Sequence, residues 1–224
     1  MITLAIDTAF DACSAAIVSG ADVLWSEQRG IGKGHSEVLP PMVAAGLRAS
    51  GVSPFDIDRI GVVIGPGAFA GVRVGLAFAR AFRIGLKADV GGVTSTEALA
   101  ASLAPHDGAT AIVFDARRGQ VYAALYSDDI RAILPPFVAA PEEAAARLAA
   151  GAEGRRLRLA GSGAGLVNPD HPYTVDATLW ADPAAIALLA AARRAAAALP
   201  HPLYLRAPDA APAAASLFSG LDLI

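Results

Sequence analysis

The chain has 224 residues, a formal net charge of −3 and a pI of 5.8, a balance that argues against a stand-alone nucleic-acid binder, which carries a basic excess. One cysteine, Cys13, excludes an intramolecular disulfide and a cysteine-rich metal site. The length is enough for one large domain or two lobes of about 100 residues each.

The opening run Met1 to Asp7 has no positively charged leader, so the expectation is a cytoplasmic protein with neither signal peptide nor membrane anchor. Ile2–Thr8, Cys13–Val18 and Val23–Arg29 read as three strands joined by short links, a meander. From His35 to Ser50, Leu39, Met42, Val43, Gly46 and Leu47 recur at helical spacing and define one apolar face. Pro40 and Pro41 fit the first turns of that helix or a kink.

The most informative segment follows. The apolar run Ile60–Ile64 leads into the turn Gly65-Pro66-Gly67-Ala68-Phe69-Ala70-Gly71, and a helix is expected over Val72–Leu86. A glycine turn at a helix start is either a phosphate cradle or a compact corner, and this one lacks both the Lys-Ser/Thr ending of a P-loop and the full dinucleotide spacing. In the helix, Arg73, Arg80 and Arg83 fall in one stripe roughly 80° wide. Nearly everything else is apolar, more than one core face uses, so the helix is expected to be buried twice, once by its own core and once by a partner. Gly75, Ala77, Ala79 and Ala81 allow close approach of a neighbouring helix, and the arginines would meet carboxylates at the seam.

Ala88–Val93 reads as a strand and Thr94-Ser95-Thr96-Glu97 as a capping box opening a helix that ends near Pro105. Pro105-His106-Asp107-Gly108 is a turn cluster and a lobe boundary, which divides the chain into an α/β lobe over 1–106 and another over 107–206. Beyond it, Thr110–Asp115 and Gln120–Tyr126 form a hairpin around Arg117-Arg118-Gly119. A shift of 108 positions lays Leu4-Ala5-Ile6-Asp7 on Ile112-Val113-Phe114-Asp115, and Ala15-Ala16-Ile17 on Ala123-Ala124-Leu125, which suggests a duplicated lobe. A helix over Pro141–Ala150, a strand over Arg156–Ala160, a glycine loop Gly161–Gly165, a helix over Pro183–Leu199 and a closing segment Pro202–Arg206 complete the lobe. The Ala/Pro-rich run 207–224 reads as a loosely held tail.

Ile6-Asp7-Thr8, Ala12-Cys13-Ser14-Ala15-Ala16, His35-Ser36 with Leu39-Pro40, Gly65-Pro66-Gly67 through Gly71-Val72-Arg73, Thr94–Leu99, Asp115-Ala116-Arg117 and Tyr204-Leu205-Arg206 together resemble the TsaB (YeaZ) family. The resemblance implies a two-lobed α/β fold of the actin/sugar-kinase/Hsp70 (ASKHA) type. It also implies a non-catalytic dimerisation and scaffold role in making threonylcarbamoyladenosine beside the tRNA anticodon, with no catalytic residue, cofactor or metal of its own. The implied partners are a TsaD-type catalytic subunit, a TsaE-type ATPase, a second copy when the chain is alone, and tRNA only through the complex; no membrane is involved. The implied contact helices place the partner interface at Leu39, Met42, Val43, Gly46, Leu47, Arg73, Leu76, Ala79, Arg80 and Arg83, with Gly65, Pro66, Gly67 and Gly71 as the family loop. Ala68 and Ala70 depart from that pattern, where Ser and Thr are usual, so two hydroxyls that would cap the helix or bind phosphate are absent.

Two other functions compete. A metallopeptidase needs paired histidines on a helix, and His35, His106, His171 and His201 lie far apart. An ATP-dependent kinase of the same fold would use Asp7 or Asp115 near a metal-bound phosphate, with the Gly161–Gly165 loop near the adenosine; the alternative is that both carboxylates end strands and bind turn amides. Arg117 and Arg118 are either RNA or carboxylate contacts, or a solvated hairpin tip.

Overall fold

The computed structural model describes residues 1–167, 173–194 and 198–206. Strands β1 (Ile2–Asp7), β2 (Ala12–Ser19) and β3 (Asp22–Gly30) form the expected antiparallel meander. Helix α1 (His35–Ser50) returns the chain to β4 (Arg59–Val63), which pairs parallel with β1. Helix α2 (Phe69–Phe82) then leads to β5 (Asp89–Val93), parallel with β4, so the first sheet runs β3-β2-β1-β4-β5.

After α3 (Ser95–Ser102), the same order is built again from β6 (Ala109–Arg117), β7 (Gln120–Tyr126), β8 (Ala132–Ala139), β9 (Leu157–Ala160) and β10 (Thr174–Asp176). Helix α4 (Pro141–Ala152) links β8 to β9, and the second sheet runs β10-β9-β6-β7-β8. Both halves are thus the same winding, the ASKHA topology, and the 108-residue shift carries β1 onto β6 and β2 onto β7. Strand β8 contains Pro135 and Pro136, which it accommodates as an edge strand, where a missing N–H costs no ladder bond. The expected boundary near 106 separates the strands of the two sheets, but the last helix, α5 (Pro183–Ala192), does not stay with the second.

Helix α5 packs on β1, β2 and β4 of the first sheet, while α3 packs on β6 and β7 of the second. Each half therefore covers the other's sheet with its own final helix. The close approach of α5 has a sequence cause. Ala16, Ala5, Gly61 and Gly91 stand side by side across β2, β1, β4 and β5, a row of minimal side chains. A β-carbon added at Gly61 would stand 2.6 Å from the Ala190 Cβ and 3.3 Å from the Ile186 carbonyl. On the opposite face, Val62 turns toward α2, whose Gly75 lies against its side chain.

Two arginines in equivalent positions fasten the exchange. Arg59, first residue of β4 and 8% exposed, donates to the carbonyls of Ala190 (2.8 Å), Ala191 (3.3 Å) and Arg193 at the C-terminal end of α5. Arg158 on β9 donates to the Ala104 carbonyl (2.8 Å), just past α3, and to the Thr110 hydroxyl (3.1 Å).

Several ends differ from expectation. Helix α2 begins three residues earlier, at Phe69, and stops at Phe82, with Gly85 in a left-handed turn (φ 81°) before β5. Helix α3 stops at Ser102 rather than Pro105, and α5 at Ala192 rather than Leu199; residues 195–197 and the expected tail 207–224 lie outside the described residues. The Thr94 hydroxyl caps α3 by accepting from the Glu97 amide (3.2 Å), but the Glu97 carboxylate pairs with Arg193 and does not complete the capping box.

A larger side chain at Gly61 forces α5 off the sheet. Gly61→Val is expected to lower stability by about 1–3 kcal/mol, with a matching drop in thermal midpoint; an unchanged midpoint would mean that α5 does not pack as closely as described.

Candidate functional site

The glycine turn is a corner between strand and helix, and its purpose is backbone contact. Gly67, Gly71 and Gly75 lie four residues apart and face the end of β1. A β-carbon at Gly71 would sit 2.0 Å from the Thr8 carbonyl, and one at Gly67 2.5 Å from the Ala9 carbonyl. Hydrogen bonds close this seam: the Ala68 amide donates to the Ala9 carbonyl (2.7 Å), and the Thr8 hydroxyl to the Gly71 carbonyl (2.8 Å). Gly65, left-handed at φ 101°, and Pro66 turn the chain through a cis peptide bond, with the Ser95 amide donating to the Gly65 carbonyl (3.0 Å). The two missing hydroxyls leave α2 without a side-chain cap at Ala68. Of the two readings of this turn, the corner is the one its geometry matches.

Above the turn, a cleft of about 630 Å³ opens between the halves. Phe10, Phe69, Phe114, Tyr122, Trp180 and Tyr204 line it, six of the chain's fourteen aromatic side chains. Arg117, Arg118 and Arg206 stand along one side, with Asp11 and Asp115. The segment 198–206 straps the cleft to α2. The Pro200 carbonyl accepts from Arg80 (2.7 Å), the Leu203 amide donates to the Ile64 carbonyl (2.7 Å), and the Tyr204 hydroxyl accepts from Arg73 (2.9 Å). The Arg73 guanidinium lies 3.6 Å above the Phe69 ring, and the Phe69 and Tyr204 rings are 4.8 Å apart. None of these aromatics was singled out by sequence reasoning as part of a cleft. The available signal was their scarcity, since Phe, Tyr and Trp make up only 6% of the chain.

Both candidate carboxylates bind turn amides. Asp7 accepts from the Ala9 amide (2.8 Å) and Asp115 from the Arg117 amide (2.7 Å), with a further pairing of Asp115 to the Arg117 guanidinium at 3.0 Å. Asp7, half-buried, lines a small cavity with Phe10 and Phe114, whose ring centroids are 4.3 Å apart. Burial pushes its carboxyl up to about 6, against the weaker opposing pulls of the Ala9 amide and His35. His35 opens α1 buried, its Nε2 hydrogen-bonded to the Phe10 carbonyl at 2.8 Å. Among the described residues no cluster of three or more His, Cys, Asp or Glu is placed to hold a metal ion. Burial likewise pushes the Cys13 thiol up to about 11, which keeps it protonated and unreactive.

The expected partner residues need correction. Leu39, Met42, Val43, Gly46, Leu47, Leu76 and Ala79 are all buried within the chain's own core, between α1, α2 and the first sheet. Gly46 is pressed against Trp25, so close that a β-carbon would stand 2.4 Å from the indole. The reason is physical: the most continuous apolar stripe of a helix is the one its own sheet takes. Arg73 is exposed; Arg80 and Arg83 are half-buried. What remains outward on α2 is a second face, Ala70, Val74, Ala77 and Ala81, flanked by Phe78 and Phe82, whose rings stack at 5.6 Å. Ile84, just past the helix, is 80% exposed.

The family model for tRNA N6-adenosine threonylcarbamoyltransferase, TsaD, matches residues 25–214. An uncharacterised protein of Mycobacterium tuberculosis is 36% identical over 218 residues, 94% of each chain. The Escherichia coli tRNA threonylcarbamoyladenosine biosynthesis protein TsaB is 37% identical over 139 residues, 58% of this chain and 56% of that one. The solved YeaZ of Pseudomonas aeruginosa superposes with a TM-score of 0.75 at 27% identity, over 85% of this chain and 90% of the other. The chain belongs to the TsaB (YeaZ) family. Membership links it to tRNA threonylcarbamoyladenosine biosynthesis. Among the described residues of this TsaB-family chain, no helix is long and apolar enough to cross a membrane.

The raised Asp7 carboxyl makes stability depend on pH. Between pH 3.8 and about 6 the native carboxyl keeps a proton that the unfolded chain has lost, so stability falls as pH rises through that window and stays reduced above it. Asp7→Asn, which still accepts from Ala9, is expected to raise stability at pH 8 by about 1–3 kcal/mol and to flatten the slope. A thermal midpoint at pH 8 equal to or below that of the parent would contradict the burial of this charge.

Proposed function

We propose that this chain is a non-catalytic partner subunit in tRNA threonylcarbamoyladenosine biosynthesis, acting in the cytoplasm and holding a TsaD-type catalytic subunit on the outward face of α2. The observation that carries this reading is that face itself. Ala70, Ala77 and Ala81 are exposed, Val74, Phe78 and Phe82 are half-buried, and the helix contains no acidic residue to make the surface hydrophilic. Its alanines let a second helix approach closely, and the exposed guanidinium of Arg73 is held at the margin by Phe69 and Tyr204 for a partner carboxylate. The same face would join two copies when the catalytic subunit is absent, and a TsaE-type ATPase would complete the assembly.

The chemistry at the cleft floor supports a supporting rather than a catalytic role. Asp7, one of the two carboxylates a kinase of this fold would use beside a metal-bound phosphate, accepts from its own turn amide at Ala9 and lines a small cavity with Phe10 and Phe114. Asp115 is likewise engaged by Arg117.

Charge placed on the outward face separates assembly from folding. Ala77→Glu and Ala81→Glu sit at exposed positions and are expected to leave stability within about 0.5 kcal/mol of the parent. They should weaken binding of a TsaD-type subunit by about 100-fold or more, because an unpaired carboxylate is buried in the contact. Leu76→Glu, at a position only 2% exposed, is expected to lose the fold instead. Calorimetric titration of the purified subunits measures both; wild-type affinity in Ala77→Glu would place the contact elsewhere.

A further inference from the structure

The hairpin between β6 and β7 carries an unusual cost. Arg117 (φ 64°), Arg118 (φ 55°) and Gly119 (φ 69°) are all left-handed, although only the last is a residue that adopts this backbone freely. Tight hairpin turns of this kind are filled most readily by Asn, Asp or Gly. Two successive arginines held there destabilise the turn relative to those residues, and backbone strain of this sort concentrates where side chains must be presented in a fixed direction. Both arginines stand at the cleft.

The occupant can be read from the walls. A volume of about 630 Å³ is the size of a nucleotide-scale ligand. Six aromatic rings supply stacking surface, and Arg117, Arg118 and Arg206 line the cleft with Asp11 and Asp115, Arg117 being paired with Asp115 at 3.0 Å. Aromatic faces beside guanidinium groups are the combination that takes single-stranded nucleic acid, bases on rings and phosphates on cations. Of the carboxylates here that could hold the metal ion of a metal-bound triphosphate, Asp7 accepts from the Ala9 amide and Asp115 from the Arg117 amide and guanidinium. A phosphodiester carries one charge per phosphate and needs only the guanidiniums.

We infer that the mouth of this cleft holds a single-stranded segment of RNA, with its phosphates on Arg117 and Arg118 and a base against the wall formed by Phe69 and Tyr204. The segment is a loop of the tRNA being modified, an assignment that rests on the function proposed above. Arg206 fixes the wall to the hairpin, donating to the Ala116 carbonyl (3.1 Å), so the strap and the arginine tip meet the RNA as one unit.

The double variant Arg117→Asn/Arg118→Asn tests this, because it relieves the backbone while removing the cations. In the full chain its thermal midpoint should rise by about 2 °C or more. In the complex with the catalytic subunit, affinity for tRNA should fall about tenfold near 150 mM salt, and the slope of log affinity against log salt should shrink by about 1.4. Unchanged affinity and slope in an assembled complex would overturn the inference alone. So would a fall in thermal midpoint alongside the lost affinity, which would make the arginines structural, or intact tRNA binding with lost binding of magnesium-ATP, which would assign the cleft to a free nucleotide. Should no complex assemble, the functional proposal fails and the RNA site, which rests on it, falls with it.

Discussion

The structure depends on an exchange: each half of a duplicated chain gives its last helix to the other half's sheet. Helix α5 can lie on the first sheet only because Ala16, Ala5, Gly61 and Gly91 clear a path across four strands. The ends of the exchanged elements are held by Arg59 and Arg158, which occupy equivalent positions on β4 and β9 and satisfy carbonyls at or just past the C-termini of α5 and α3. The two halves therefore do not fold as separate bodies tied by a linker. Apolar burial on both faces of each sheet, the main favourable term in folding, is completed only when both halves are present.

That exchange also decides what is left outside. With α5 and α3 filling the space between the sheets, α1 and α2 cover the outer face of the first sheet and α4 that of the second. The duplication is unequal here. After β9, the described residues hold a single 3-10 turn, Ala164–Leu166, where the first half has the whole of α2. Helix α2 is the extra element, and its inward side, Gly71, Val72, Gly75, Leu76 and Ala79, is fully used by its own sheet. The apolar outward side has no internal task, which is why the proposed interface falls on it.

Much of this was legible in the sequence, for reasons that differ from element to element. The meander, the glycine turn and the repeat followed from local signals: alternation of apolar residues, glycine chemistry, and the aspartates Asp7 at the end of β1 and Asp115 near the end of β6. The packing of α5 on the far sheet was not legible, because nothing in its alanine-rich sequence says which sheet it will meet. Nor was the choice of face on α1 and α2. Both helices show one strong apolar stripe, and periodicity finds that stripe without saying whether a sheet or a partner takes it. Leu39, Met42 and Leu76 were assigned to a partner for that reason, and the core holds them. The aromatic cleft was hidden because its walls come from six separated positions that only the fold brings together.

The cleft and the outward face of α2 are physically joined through Arg73. Its guanidinium stacks on Phe69 and is hydrogen-bonded to Tyr204, both of which form cleft wall, while its backbone belongs to the helix that carries the apolar face. A helix seated on that face would meet the same guanidinium, and any shift in it would move the Tyr204 ring and the strap that continues to Arg206. Coupling of this kind is reciprocal: whatever free energy a partner spends in fixing Arg73 returns as a change in the affinity of the cleft for its occupant. The strap thus ties an open, aromatic cavity to the apolar exposed face of the helix beside it.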